Sequence, residues 1–85
     1  MSKVEIYTTQ WCPYCHAAKA LLDNKQVAYE EIDADDPSVR VAMIQRAHGR
    51  RTVPQVFVGD QHLGGYQDIA ALDRAGKLMP LLNGG

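Results

Sequence analysis

The sequence predicts an α/β domain of order βαβαββα, with a mixed four-stranded sheet flanked by helices. Three observations carry that expectation. A period-two segment, a helical-period segment and a β-branched segment follow one another, and strand-helix-strand implies a parallel pair joined by a right-handed crossover. An unbroken apolar run at 55–58 with a Gly-Asp turn behind it reads as the first strand of a hairpin. Both cysteines of the chain stand together as Cys12-Pro13-Tyr14-Cys15, at the junction between the first strand and the first helix.

Taken in order, residues 3–8 alternate Val4, Ile6 and Thr8 against Lys3, Glu5 and Tyr7, predicting a strand with one face toward a core. Thr9, Gln10 and Trp11 form a loop. From 13 to 25, Ala17, Ala18, Leu21 and Leu22 recur at helical spacing, and Pro13 suits a first helical position, where a missing N–H costs nothing. Residues 27–33 are β-branched and aromatic enough for a second strand. Asp36 and Pro37 mark the start of a second helix that presents Val39, Ala42, Met43 and Ala47 and stops near Gly49. After the hairpin, Gly64 and Gly65 break the strand, Gln67 or Asp68 caps a third helix carrying Ile69 and Leu72, and Gly76 ends it before a tail at 78–82.

Composition limits what such a chain does. Eighty-five residues, 46% of them hydrophobic, suit one domain over 1–85 with a single core. A formal charge of -1 lacks the positive field that draws nucleic acid. No apolar run nears the roughly 20 residues of a membrane span, and residues 1–5 lack the apolar core of a signal peptide, so the expected location is the cytoplasm. In that reducing compartment a close pair of cysteines is expected to be redox-active or metal-binding rather than a structural staple.

The placement of the pair favours redox chemistry. A thiol attacks as its thiolate, and a helix start offers unpaired N–H groups and the positive end of the macrodipole to that anion. Cys12 takes this position, while Cys15 lies one turn on, within reach for a disulfide. The competing reading is half of a zinc site completed by His16, His48 or His62. Those histidines fall on unrelated elements without ligand spacing, so each reads better as a surface or partly packed residue. Trp11 reads equally well as packing or as substrate contact.

Cys12-Pro13-Tyr14-Cys15, Thr52-Val53-Pro54 and Gly64-Gly65 with Asp68 stand in the order and spacing of a dithiol glutaredoxin, and nearly the whole chain resembles the small bacterial members of that family. The resemblance implies a thioredoxin-like fold and glutathione-dependent reduction of protein disulfides and glutathione mixed disulfides. It implies Cys12 as nucleophile, Cys15 as resolving thiol, and a Cys12–Cys15 disulfide in the oxidised state. It also implies a cis bond at Val53-Pro54, leaving the Val53 backbone free to pair with an extended peptide such as glutathione. The glutathione contacts expected are Tyr14, Arg51, Thr52, Val53, Pro54, Gly65, Tyr66, Gln67 and Asp68. Of the basic cluster Arg46, Arg50 and Arg51, at least one is expected to meet a glutathione carboxylate. Gly65 and Asp68 are expected to hold the γ-glutamyl end.

Glutathione then serves as reducing co-substrate without a tightly bound cofactor or metal. The protein would act as a monomer, with glutathionylated or disulfide-bearing proteins, ribonucleotide reductase among them, as partners. The chain departs from the family at Thr9, where many relatives carry lysine, and at Tyr66 and Gln67, where they carry Cys or Ser and then Asp. These changes bear on glutathione affinity rather than on thiol chemistry. Two other functions compete. A reductant fed by thioredoxin reductase is disfavoured by Pro13-Tyr14 and Gly64-Gly65, and an iron-sulfur carrier is disfavoured by Pro13 and the second cysteine.

Overall fold

A computed structural model describes residues 3–83 of the chain; residues 1–2 and 84–85, the ends of the expected domain, lie outside the described residues. The element order is β1 (Val4–Thr8), α1 (Pro13–Asn24), β2 (Glu30–Asp33), α2 (Pro37–Arg46), β3 (Gln55–Val58), β4 (Gln61–Gly64), α3 (Tyr66–Arg74) and α4 (Leu78–Leu82). The four strands form one sheet in the order β2-β1-β3-β4. β1 runs parallel to β2, with Glu5 opposite Glu30 and Thr8 opposite Asp33. It runs antiparallel to β3, and β3 pairs antiparallel with β4 across the Gly59-Asp60 turn. The expected α/β class and strand directions are those found.

The sheet divides the core in two. On one face Val4, Ile6, Val56, Val58 and Leu63 meet Ala18 and Leu22 of α1, Ile69 of α3, and Leu78 and Leu82 of α4. On the other, Tyr7 and Phe57 meet Ala34 just after β2, Met43 of α2 and Ala47 at the C-cap of that helix. Fully burying side chains of the size of Phe57, Ile6 or Leu22 contributes about 1.5–3 kcal/mol each. All four residues of β3 are buried, Val56, Phe57 and Val58 as an apolar run requires of a strand covered on both sides, and the polar Gln55 with them.

Several expectations need correction. β1 starts at Val4, and Tyr7 is not on a solvent face: its ring packs edge-on to Phe57 at 5.5 Å in the second cluster. The first helix ends at Asn24 with Lys25 as its cap, and β2 is shorter than 27–33 because the Val27 N–H is drawn back to Leu22 O at 3.2 Å and does not enter the ladder. Asp36 does cap α2 through Ser38 N, but Ala42 is exposed. The helix stops at Arg46, ahead of Gly49, because His48 already enters the left-handed region at φ 58°. α3 starts earlier than expected, with Gly65 rather than Gln67 or Asp68 at the cap, and the tail at 78–82 is a helix whose Leu78 and Leu82 close the first cluster.

Candidate active site

Cys12 occupies the N-cap of α1 in extended conformation, φ -141° and ψ 100°, where serine or aspartate usually offers an oxygen. Its sulfur takes that part, accepting the Cys15 N–H at 3.1 Å. Pro13 follows at the first helical position, where no donor is lost. A sulfur that caps a helix receives a hydrogen bond and faces the positive end of the helix dipole together. The Cys12 thiol also points at Val53 O, 3.7 Å away, which ties the helix start to the segment before β3.

The two sulfurs sit in different surroundings. Cys12 retains 8% exposure, while Cys15 retains none. Burial, followed by the hydrogen bond with the Cys12 sulfur, pushes the Cys15 thiol up to about 12. Both cysteines are free thiols here.

Beside Cys12 runs a groove of about 340 Å³ lined by Tyr14, Arg50, Thr52, Val53, Pro54, Gly65, Tyr66, Gln67 and Asp68. Eight of the nine residues expected from the sequence to meet glutathione are on that list. The ninth is not: Arg51 lies outside the lining, with its carbonyl accepting Arg40 Nη2 at 2.8 Å, and Arg50 stands in its place. The Val53-Pro54 bond is cis. Tyr14 and Tyr66, ring centres 6.1 Å apart, form an aromatic wall from two helix starts. At Gly65 the groove wall comes close: a Cβ there would stand 3.2 Å from Pro54 O, a tight approach, and 3.6 Å from Arg50 Nη2, an ordinary contact.

Asp68 organises the far end of the groove. Its Oδ2 accepts the Gly65 N–H and Arg50 Nη1, both at 2.8 Å. Burial would raise this carboxyl, but those two bonds outweigh it and hold the group below the usual carboxylate range. Gly65 has its N–H satisfied in this way, while Tyr66 and Gln67 open α3 with N–H groups that have no intrahelical acceptor. The groove thus offers an acid, a guanidinium, helix-start donors and the exposed edge of Thr52 and Val53.

Other candidates lie elsewhere. Arg46 is structural: its guanidinium lies 4.1 Å over the Phe57 ring, with Nη2 bonded to Glu5 at 2.8 Å and to Gly59 O at 2.9 Å. Trp11 is 89% exposed, which removes the packing reading. The histidines are not all scattered as expected, since His48 and His62 stack with ring centres 5.5 Å apart. Among the described residues, no group of three or more His, Cys, Asp or Glu is arranged to hold a metal ion. Sequence reasoning also passed over the buried Gln55, which carries no motif and looks like a strand residue.

The sequence model of the glutaredoxin family matches residues 4–63, which include the dithiol, the Thr52-Val53-Pro54 segment and β3. The chain belongs to the glutaredoxin family. Glutaredoxin 3 of Escherichia coli is 53% identical over 83 residues, covering 96% of this chain and 99% of that one. The solution structure of glutaredoxin from Brucella melitensis superposes with a TM-score of 0.86 at 49% identity, covering 96% of this chain and 89% of that one. A crystal structure of a buckwheat glutaredoxin-glutathione complex superposes at 0.87 with 32% identity, covering 96% of this chain and 77% of that one. As a glutaredoxin with a dithiol site, the protein is a glutathione-dependent thiol-disulfide oxidoreductase. Its sheet and helices form the thioredoxin-like fold of those neighbours.

Proposed function

We propose that Cys12 is the attacking thiol, Cys15 the resolving thiol, and the groove from Tyr14 and Arg50 through Thr52, Val53 and Pro54 to Gly65, Tyr66, Gln67 and Asp68 the seat of glutathione. The observation that carries this is the Cys12 sulfur, capped by Cys15 N–H at 3.1 Å and directed at Val53 O on the groove wall. The buckwheat relative, whose structure is described as a glutathione complex, lends support.

In this reading the Cys12 thiolate attacks the glutathione sulfur of a mixed disulfide, forming glutathionyl-Cys12 and releasing the partner as thiolate. A second glutathione thiolate attacks that glutathionyl sulfur, forming oxidised glutathione and restoring the Cys12 thiolate. The Val53 backbone pairs with the tripeptide as a short added strand. Asp68 faces its ammonium group, and Arg50 with the donors at the start of α3 faces its carboxylates. A protein disulfide instead leaves Cys12 bonded to a bulky partner. Cys15 then attacks the Cys12 sulfur, giving up its proton as the Cys12–Cys15 bond forms and the partner leaves as thiolate.

The reaction asks for no tightly bound cofactor. We place the protein in the cytoplasm as a one-domain monomer acting on glutathionylated proteins and on disulfide enzymes such as ribonucleotide reductase. Among the described residues no helix is long and apolar enough to cross a membrane.

Cys15→Ser tests the division of roles. It should retain removal of glutathione from a glutathionylated peptide and lose at least about tenfold in protein-disulfide reduction, since an intramolecular thiol far exceeds free glutathione in effective concentration. Cys12→Ser should abolish both. Equal loss of both activities in Cys15→Ser would contradict the assignment.

A further inference from the structure

Behind the groove, polar side chains run in an unbroken line from the surface to Thr52. Gln55 is fully buried, yet every polar atom of its amide is engaged. Nε2 donates to Thr52 O at 2.9 Å and reaches Thr52 Oγ1 at 3.3 Å, while Oε1 lies 2.6 Å from His62 Nε2. Because the Thr52 carbonyl can only accept, the amide turns its NH2 that way, so Oε1 is the acceptor and His62 Nε2 carries a hydrogen. The imidazole is itself held in place. It stacks on Phe57 with ring centres 4.8 Å apart, and its Nδ1 faces His48 Nδ1 at 3.4 Å. Neither Gln55 nor His62 lines the groove, but Thr52 does, and the next residue supplies the carbonyl that faces the Cys12 sulfur.

We propose that Gln55 and His62 are positioning residues for the glutathione reaction. Gln55 holds the Thr52 main chain so that Thr52 and Val53 face the ligand, and His62 holds Gln55 in the one amide orientation that can do so. Reversed, the amide would set its oxygen against the Thr52 carbonyl and its NH2 against the His62 N–H, two repulsive contacts around a fully buried side chain. His62 adds a second contact to the one at the Thr52 carbonyl, since Nε2 donates to Gln55 Oε1 both in the protonated ring and in the neutral tautomer that carries its hydrogen there. The inference rests on the groove being the glutathione site.

Steady-state kinetics with a glutathionylated peptide, on folded proteins checked by circular dichroism, test it through Gln55→Leu, His62→Leu and their double variant. Arg50→Ala serves as a reporter of the groove itself. Gln55→Leu should raise KM roughly 3- to 10-fold, the range of one lost hydrogen bond, with kcat changed less than about twofold. His62→Leu should raise KM in the same direction, and the double variant should be no worse than Gln55→Leu alone, since His62 acts through Gln55. Gln55→Glu, which still accepts from His62 but turns an acceptor on Thr52, should behave like Gln55→Leu.

A lowered melting temperature with KM unchanged would reduce the pair to a structural role and overturn the proposal. Additive effects of the two leucine substitutions would overturn the relay through Gln55. Should Gln55→Leu fail to fold, His62→Leu, at a half-buried position, decides alone: an unchanged KM overturns the proposal. Arg50→Ala separates this from the groove reading. A response there without one at Gln55 or His62 refutes only the positioning role, whereas no response at Arg50 refutes the groove and the inference with it.

Discussion

The main-chain N–H of Cys15 donates to the sulfur of Cys12 across 3.1 Å, so the residue that supplies the second thiol also steadies the first. The accessible sulfur is held at the helix start, and the covered one is kept protonated by burial and by its partner, at about 12. Iodoacetamide near neutral pH should therefore label Cys12 and spare Cys15, and Cys15 labelling should still be rising well above its ordinary value of about 8.5. Peptide mapping of the alkylated protein against pH checks both; early labelling of Cys15 would contradict the structure.

The Asp68 carboxyl, depressed by Arg50 and Gly65 N–H against the opposing effect of burial, links groove and stability. A group whose folded value is lowered lends stability above its unfolded value, about 3.9, and loses it as pH falls through the folded value. Asp68→Asn should cost roughly 1 kcal/mol near neutral pH, a figure kept small because the ion pair is half exposed. The difference from the parent should shrink below about pH 4. Urea unfolding at several pH values reads this directly.

Arg50 and Arg51 are neighbours in sequence with opposite surroundings, since only Arg50 lines the groove. Arg50→Ala should raise KM for glutathione roughly tenfold, the weight of a charged hydrogen bond, while Arg51→Ala should leave it within about twofold. Titration of initial rate against glutathione for both variants distinguishes them, and the reverse ranking would restore the sequence-based choice.

Arg46→Ala should lower stability by about 2 kcal/mol, because it strips the guanidinium from the Phe57 face and leaves Glu5, mostly buried, without its partner. Turnover below the melting transition should be unchanged. Denaturant unfolding paired with kinetics on the same sample tests both halves of that statement.

What could be read in the sequence was whatever lies local in the chain. The period of 3–8, the helix start at Asp36-Pro37 and the dithiol at a strand-to-helix junction each declare themselves within a few residues. Their pairing into a mixed sheet follows from connection rules. Long-range placement was less visible. Arg50 and Arg51 are indistinguishable until Asp68, 18 residues on, selects one of them. His48 and His62 meet only because β4 folds back beside the end of α2, and Tyr7 is buried only because α2 covers its face of the sheet. The start of α3 was misplaced for a related reason: a glycine has no side chain to announce itself as a cap, and its N–H is satisfied by Asp68 from within the helix.

The short strand β2 stands at one edge of the sheet, and among the described residues no other strand pairs with its outer backbone row. Such a row invites a second copy of the chain to continue the ladder. Here the strand reads Glu30-Glu31-Ile32-Asp33, with all three carboxylates exposed and two of them steadied by Lys3 and Lys19. A copy arriving edge to edge would set acids against acids across adjacent strands, which is unfavourable at every register that pairs them. The charge stands where the sheet is open, so the carboxylates of β2 themselves oppose a copy of the chain that would extend the ladder from that edge.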